Sequence, residues 1–153
     1  MSGSVSDRPS VGLRECGPAD VDAVLALWQR ANAVPRLTDR PDALLRRVRH
    51  ADGLFVLAIA GDEIVGSLIG GWDGWRGGLY RLAVAPEFRR LGIGGRLVRE
   101  VEARLRAKGA ERVPIRVFFG EPGAVEFWRS VGYVPDEDEA IFSKDLRQTG
   151  YER

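Results

Sequence analysis

The feature that most constrains this chain is a glycine-rich turn between an extended apolar run and a long periodic helix. The turn reads RRLGIGGR, with Gly92, Gly94 and Gly95 close together, and it comes shortly after the apolar run LYRLAV. Beyond it, apolar residues recur every four positions, the spacing of one helix face: Ile93, Leu97, Val101 and Leu105. The sequence therefore predicts a helix from about Gly92 to Gly109, with the glycines in its first turn.

The first turn of such a helix is a natural place for an anion. Its backbone N–H groups have no partner within the helix, and the helix dipole adds roughly half a positive charge there. Glycines lack a Cβ, so a phosphate can approach the backbone itself. Arg89, Arg90 and Arg96 add cations beside the turn. The pattern favours a phosphate site, and a helix start that only turns tightly is the alternative.

Two better-known phosphate motifs do not fit the turn. A P-loop needs Gly-Lys-Ser/Thr, whereas Gly94 is followed by Gly95 and Arg96. A dinucleotide fingerprint needs a further glycine where this chain has Leu97, and it opens a βαβ unit. The run before this turn instead belongs to a predicted antiparallel meander.

Periodicity assigns the remaining elements. VGLRE at 11–15 alternates like a short strand, and two amphipathic helices follow, the first carrying the stripe Val21, Val24, Leu25 and Trp28. LFVLAIA and IVGSLIGGW predict a hairpin, and LYRLAV a third strand. After the glycine-rich helix, RVPIRVFF predicts a strand, EPGAVEFWRSVG a helix and EAIFSKDL a last strand.

The order β-α-α-β-β-β-α-β-α-β predicts an α/β fold. The strands are too apolar to leave either sheet face in water, so we expect a central mixed, mostly antiparallel sheet with helices on both faces. The chain has 153 residues, 44% of them hydrophobic, which predicts one domain over 11–146 with a disordered tail at 1–10 and another at 147–153.

Charge and cysteine content narrow the function. A formal net charge of +1 supplies no field to recruit nucleic acid or an anionic membrane. The single cysteine, Cys16, can form neither an internal disulfide nor a thiolate metal site, and no metal signature appears. No apolar run approaches the roughly 20 residues that span a bilayer, and the start does not read as a signal peptide. We expect a cytoplasmic protein, monomeric or homodimeric.

Two spaced motifs give a family resemblance. Arg89 to Gly94 match the pattern Arg/Gln-x-x-Gly-x-Gly/Ala, directly after LAVAPEF. In EPGAVEFWRSVGY, Ala124, Phe127, Gly132 and Tyr133 match or nearly match Asn-x-x-Ala-x-x-Phe-Tyr followed by Gly-Phe. On these motifs the chain resembles the GCN5-related N-acetyltransferase family, particularly its small bacterial members. The resemblance covers about 11–146 and is most specific over 79–133.

The resemblance implies acetyl-coenzyme A as cofactor and assigns residues to it. In the family, the strand before the glycines pairs its exposed backbone with the pantetheine arm, and the loop holds the pyrophosphate. The implied cofactor residues are Leu82, Ala83, Val84, Arg89, Arg90, Leu91, Gly92, Ile93, Gly94, Gly95 and Trp128. The N–H of Val84 is implied to polarise the thioester carbonyl and to hold the oxyanion.

The implied reaction is direct acetyl transfer to a primary amine, on a small molecule or a protein N-terminus, in a ternary complex. An alkylammonium of pKa ~10.4 must first lose a proton, and Asp73 is the candidate base or ammonium anchor. Its alternative role is turn chemistry, because Asp-Gly pairs favour turns. The expected acceptor-binding residues are Trp72, Asp73, Trp75 and Arg76.

Two departures from the family pattern affect catalysis. Trp128 stands where the family usually has the Tyr that protonates the leaving thiolate, and an indole cannot lend that proton. Water or Tyr133 is the candidate replacement, although Tyr133 also suits plain core packing. Glu121 stands where the family usually has Asn. These departures motivate two alternatives, a coenzyme A-binding module without transfer activity and a domain whose loop binds nothing.

Overall fold

A computed structural model describes residues 10–31 and 33–147, which fold around a four-stranded sheet. Its strands are β1 (Val11–Glu15), β2 (Phe55–Ala60), β3 (Glu63–Trp72) and β4 (Gly77–Val84). Neighbours in space are also neighbours in sequence, and every pair is antiparallel. The tails expected at 1–10 and 147–153 lie outside the described residues, apart from positions 10 and 147.

Helices cover both faces of this sheet. They are α1 (Val21–Arg30), α2 (Pro41–Arg49), α3 (Ile93–Lys108) and α4 (Ala124–Ser130). On one face, Trp28 Nε1 of α1 donates a hydrogen bond to the buried Ser67 Oγ of β3, at 2.9 Å between nitrogen and oxygen. On the other face, α3 packs on β3 through Leu97 and Val101. The fold class predicted from the sequence is thus confirmed.

Two glycines of β3 let α3 lie close to the sheet. A Cβ added to Gly70 would lie 2.7 Å from Val101 Cγ1, and one added to Gly66 would lie 3.0 Å from Leu97 Cδ1. Because interiors are packed as densely as organic crystals, no larger side chain fits there without moving the helix. This contact fixes the start of α3 relative to the end of β4.

A bulge interrupts β4. Tyr80 pairs with Ile69 and Ala83 with Ser67, so two residues of β4 oppose one of β3. Arg81, inside the bulge, has a φ of 58°, in the left-handed region that costs a non-glycine residue free energy.

Two predicted strands do not form within the described residues. Along 112–119 the only pairing is an isolated parallel bridge, Leu79 with Ile115, where the Leu79 N–H donates to Pro114 O at 3.0 Å. Pro114 has no N–H of its own to donate, and β4 bulges two residues after Leu79, so this ladder stops. Residues 139–146 consequently have no regular strand to pair with, and Phe142 is 92% exposed.

The space between those two segments is a cavity of about 1170 Å³, whose lining includes Ile115, Trp128 and Phe142. Within the two described stretches of chain, no helix is both long and apolar enough to cross a membrane.

Candidate active site

The predicted anion site is an open helix start. We call residues 89–95 the glycine turn. Gly92 caps α3 with a φ of 80°, and a Cβ added to it would meet no atom within 4 Å. The first backbone N–H groups of the helix are unpaired by geometry, so an anion can reach them through this open space. The helix begins at Ile93 and is capped at Gly109, as the spacing predicts.

The three glycines of the turn have different surroundings. A Cβ on Gly94 would lie 3.0 Å from Phe127 Cε2, so Gly94 lets α4 pack against the first turn of α3. A Cβ on Gly95 would lie 3.1 Å from Arg99 Nη1. Of these three glycines, Gly92 is the one at which an added Cβ would meet only open space. The sequence alone did not separate these roles.

The arginines in and beside the turn also differ. Arg89 donates from Nη2 to Ala31 O at 2.9 Å and from Nε to Val84 O at 3.3 Å, so it ties the turn to the ends of α1 and β4. Arg96 donates to Val11 O at 2.7 Å. Arg90 is exposed and left-handed, with a φ of 63°, directly before the glycines. Arg90 is therefore the cation best placed to meet a bound anion.

Beside the turn, β4 presents a backbone edge that faces away from β3. The Ala85 N–H donates to Val65 O at 2.8 Å, towards β3. Because backbone amides alternate in direction along a strand, the N–H of Val84 points to the opposite side. On that side, the only backbone pairing between β4 and the 112–119 segment is at Leu79. We call residues 80–84 on this side the open edge of β4; it contains the predicted pantetheine contacts Leu82, Ala83 and Val84.

Asp73 lies in the turn at the opposite end of β4 from Val84. Its Oδ1 accepts the backbone N–H groups of Arg76 and Trp75, each at 2.7 Å, in the turn that joins β3 to β4. These bonds lower the pKa of the Asp73 carboxyl, which weakens it as a base. Seven residue steps separate Gly77 from Val84, which is about 23 Å of extended strand. The turn chemistry considered as the alternative for Asp73 is what the structure displays.

The other predicted acceptor residues lie at the same remote end. Trp72 lies against Gly109, where a Cβ would be 3.7 Å from its Cζ2, and Gly109 caps the C-terminal end of α3. That end is about 24 Å along the helix from the glycine turn. Trp75 is 76% exposed, and the Arg76 guanidinium stacks 4.6 Å above its ring. The structure does not bring these residues together with the glycine turn.

Tyr133 and Trp128 belong to an aromatic cluster that holds α4 in place. The Tyr133 hydroxyl donates to Glu102 Oε2 of α3 at 2.7 Å, and its ring meets Trp128 edge-on at 5.0 Å between centroids. Burial and then the Glu102 carboxylate raise the pKa of Tyr133, which makes it a weaker acid than a free tyrosine. Trp128 is buried between Tyr133 and Phe127. Both side chains therefore support the fold behind the glycine turn.

The structure also shows an anchor that the sequence did not reveal. The Arg81 guanidinium forms an ion pair with Asp39, donates to Val34 O at 2.8 Å and lies 5.1 Å above the Trp28 ring. These contacts tie residues 33–40, the α1–α2 connection, to the bulge of β4. No local pattern could have found the pair, because its members are 42 positions apart.

An antiparallel sheet with an open strand edge beside an open helix start can hold an extended, phosphate-bearing cofactor. The chain matches the sequence profile of the acetyltransferase (GNAT) family over residues 21–133. It belongs to that family. An acetyltransferase of Pectobacterium atrosepticum is 33% identical over 114 residues, which are 74% of this chain and 81% of the relative.

Solved structures share the fold. Ard1 from Thermoplasma volcanium superposes with a TM-score of 0.72 at 22% identity, covering 81% of this chain and 82% of that one. The PaiA N-acetyltransferase from Thermoplasma acidophilum, solved in complex with coenzyme A, gives 0.71 at 17% identity, covering 79% and 87%.

The protein is therefore an acetyl-coenzyme A-dependent acetyltransferase, and the expectations for family, enzyme class and cofactor are confirmed. This sets aside the two alternatives without transfer activity. The open space at Gly92 fits the cofactor, because a phosphate can approach the backbone where a Cβ would otherwise stand.

Proposed function

We propose that the protein transfers the acetyl group directly to a primary amine, with acetyl-coenzyme A and the amine bound together. The observation that carries this is the open edge of β4, whose Val84 N–H points away from β3 and lies beside the open glycine turn. The open edge of β4 can thus hold the cofactor arm, while a face of the sheet at this strand remains available to an acceptor.

The chain offers each part of the cofactor a binding group. The amides of residues 92–95 and the Arg90 guanidinium suit the pyrophosphate, and the backbone of residues 82–84 suits the pantetheine amides. When bound, acetyl-coenzyme A supplies an activated acetyl thioester. The Val84 N–H is the candidate donor to the oxygen of its carbonyl, where negative charge develops during attack.

A covalent enzyme intermediate has no suitable thiol here. Cys16 is the only cysteine in the sequence, and burial raises its pKa to about 12. A thiol of that pKa is almost fully protonated at neutral pH and is a poor nucleophile. This supports attack by the acceptor itself.

The proton steps fall to water. Asp73 lies at the opposite end of β4 from Val84, and the Tyr133 hydroxyl is bonded to Glu102, so the amine releases its proton to solvent. The coenzyme A thiol, with a pKa near ~8.5, departs as thiolate without an acid. Lacking general acid catalysis costs roughly 10²-fold to 10⁴-fold in rate, which predicts a slow enzyme rather than an inactive one.

Calorimetric titration of acetyl-coenzyme A into the wild type and Gly92→Val tests the cofactor site. Valine fills the open space and strains the left-handed turn, so we expect affinity to fall at least tenfold. Gly74→Val is the matched control: Gly74 also has a positive φ, 94°, and open space around it, but lies in the remote β3–β4 turn. Equal binding by wild type and Gly92→Val would contradict the assignment.

Release of coenzyme A thiol in the presence of primary amines or matched alcohols then tests the reaction. We expect release that depends on the amine and rises with pH as the ammonium deprotonates. Release that requires an alcohol, or that is independent of any acceptor, would overturn the proposal.

A further inference from the structure

The Tyr80 side chain lies flat on a floor made of two glycines. A Cβ added to Gly71 would lie 2.9 Å from Tyr80 Cε2, and one added to Gly78 would lie 3.0 Å from its hydroxyl oxygen. Gly71 and Gly78 pair across β3 and β4. The ring therefore extends back along the sheet over bare backbone, and it is still 52% exposed.

Tyr80 is also placed beside the open edge of β4. It directly precedes the bulge at Arg81, where β4 leaves the 112–119 segment. Its partner Ile69 and the neighbouring Ser67 are on the same face of β3, since residues two apart share a face. Ser67 meets Trp28 of α1, so Tyr80 lies on the α1 face, opposite the face that carries α3.

The α1–α2 connection, which is tied to the neighbouring residue Arg81, offers no unpaired carboxylate among its described residues or at the start of α2. Asp39 is paired with Arg81, and Asp42 is paired with Arg40. The same connection presents Leu37, which is 49% exposed. Neither of these two carboxylates is free to meet a polycation, whereas an apolar body would find the Tyr80 ring and an aliphatic side chain.

We propose that Tyr80 is the acceptor platform, and that the acceptor is a monoamine carried on an aromatic or apolar body that stacks on the exposed ring face. This deepens the proposed function, on which it rests. The two glycines keep the ring lowered, so that the space above it, beside the open edge of β4, stays free for the acceptor.

The glycine floor provides a variant that moves the ring and leaves the fold intact. Neither Gly71 nor Gly78 has a positive φ, so alanine fits both backbones. The atoms that alanine would meet are the far end of the tyrosine side chain, which can swing away. Gly71→Ala should therefore raise the ring into the acceptor space.

Steady-state kinetics at saturating acetyl-coenzyme A test the platform, with 2-phenylethylamine, propylamine and spermidine as probes. For the wild type we expect the lowest KM with 2-phenylethylamine. Tyr80→Ala should raise that KM roughly tenfold, the size of a lost aromatic stack, and change the KM of propylamine less than twofold. Tyr80→Phe keeps the ring and should match the wild type. Gly71→Ala should raise the KM for 2-phenylethylamine, whereas Gly12→Ala, with open space around it, should not.

A binding experiment separates this inference from the proposed function. Tyrosine ring resonances, assigned with Tyr80→Phe, are followed while 2-phenylethylamine is added to the protein saturated with coenzyme A. We expect the Tyr80 resonances to shift and those of Tyr133 to stay. Amine acetylation with no Tyr80 shift, or with spermidine preferred in both wild type and Tyr80→Ala, would overturn the platform and leave the proposed function standing. Absence of acetylation with every amine would instead count against both.

Discussion

Removing the charge of Asp39 should release the anchor between the α1–α2 connection and β4. The Arg81 and Asp39 side chains are 14% and 17% exposed, so their pair is largely desolvated. Breaking such a pair leaves an uncompensated charge and costs more than losing a surface pair. Asn keeps an acceptor oxygen, so we expect Asp39→Asn to lower the free energy of unfolding by roughly 3 kcal/mol, the low end for a broken buried pair.

A matched control lies close by. The Arg40–Asp42 pair also involves the α1–α2 connection, but its side chains are 44% and 70% exposed. Asp42→Asn should therefore cost much less than Asp39→Asn, because solvent screens the exposed pair. The comparison separates the loss of any ion pair in this region from the loss of the one that holds the bulge.

A double-mutant cycle completes the test. Arg81→Gly removes the same pair but relieves the left-handed backbone, which costs a non-glycine residue roughly 1–2 kcal/mol. In that background Asp39→Asn removes a charge that has already lost its partner, so it should cost nothing or stabilise the fold, which gives a coupling of at least about 3 kcal/mol. Urea unfolding followed by tryptophan fluorescence measures each step. The reasoning is refuted if Asp39→Asn costs the same in both backgrounds, or no more than Asp42→Asn.

Three further predictions follow from individual contacts. Gly94→Ala should press on Phe127 and destabilise the fold by roughly 1–3 kcal/mol in thermal unfolding, and Phe127→Leu should recover part of that loss. Cys16, with a pKa raised to about 12 by burial, should react with iodoacetamide at pH 8 far more slowly than in urea; equal rates would contradict its burial. Because the pKa of Asp73 is lowered in the folded protein, the stability that its carboxylate gives to the β3–β4 turn is fully present above the ordinary carboxyl pKa of 3.8. That stability is lost as the pH falls through the lower pKa of the folded state. Asp73→Asn should consequently leave the pH–rate profile between pH 6 and 9 unchanged, and a lost acid limb would restore Asp73 as a base.

Sequence patterns predicted the features that depend on residues a few positions apart. The four-residue spacing placed α3 between Gly92 and Gly109, because helix boundaries depend on neighbours within a few positions. The same kind of pattern was wrong for 139–146, since a strand exists only with a partner edge. That edge depends on a proline and a bulge that lie elsewhere in the chain.

The candidate site shows the same contrast between features set by nearby residues and features set by distant ones. The sequence identified the glycine turn but could not distinguish Gly92 from Gly94, because the difference is the distant Phe127 ring. It also placed the acceptor residues at the β3–β4 turn on the strength of their exposed aromatics. Their distance from the glycine turn follows from strand and helix lengths that only the assembled fold combines. Tyr80 carried no signal at all, since the two glycines that shape its position are ordinary in sequence.

The bulge in β4 interrupts the regular alternation of side chains along the strand. Tyr80 and Ala83 are three positions apart, yet they oppose Ile69 and Ser67, which share one face of β3. In a regular strand an odd interval places two side chains on opposite faces. Deleting position 81 would place Tyr80 and Ala83 two positions apart, so a regular strand would keep both side chains on the face they have now and would lose only the Arg81 anchor. The extra residue therefore adds an anchor between β4 and the α1–α2 connection without reversing the side chains of either half of the strand.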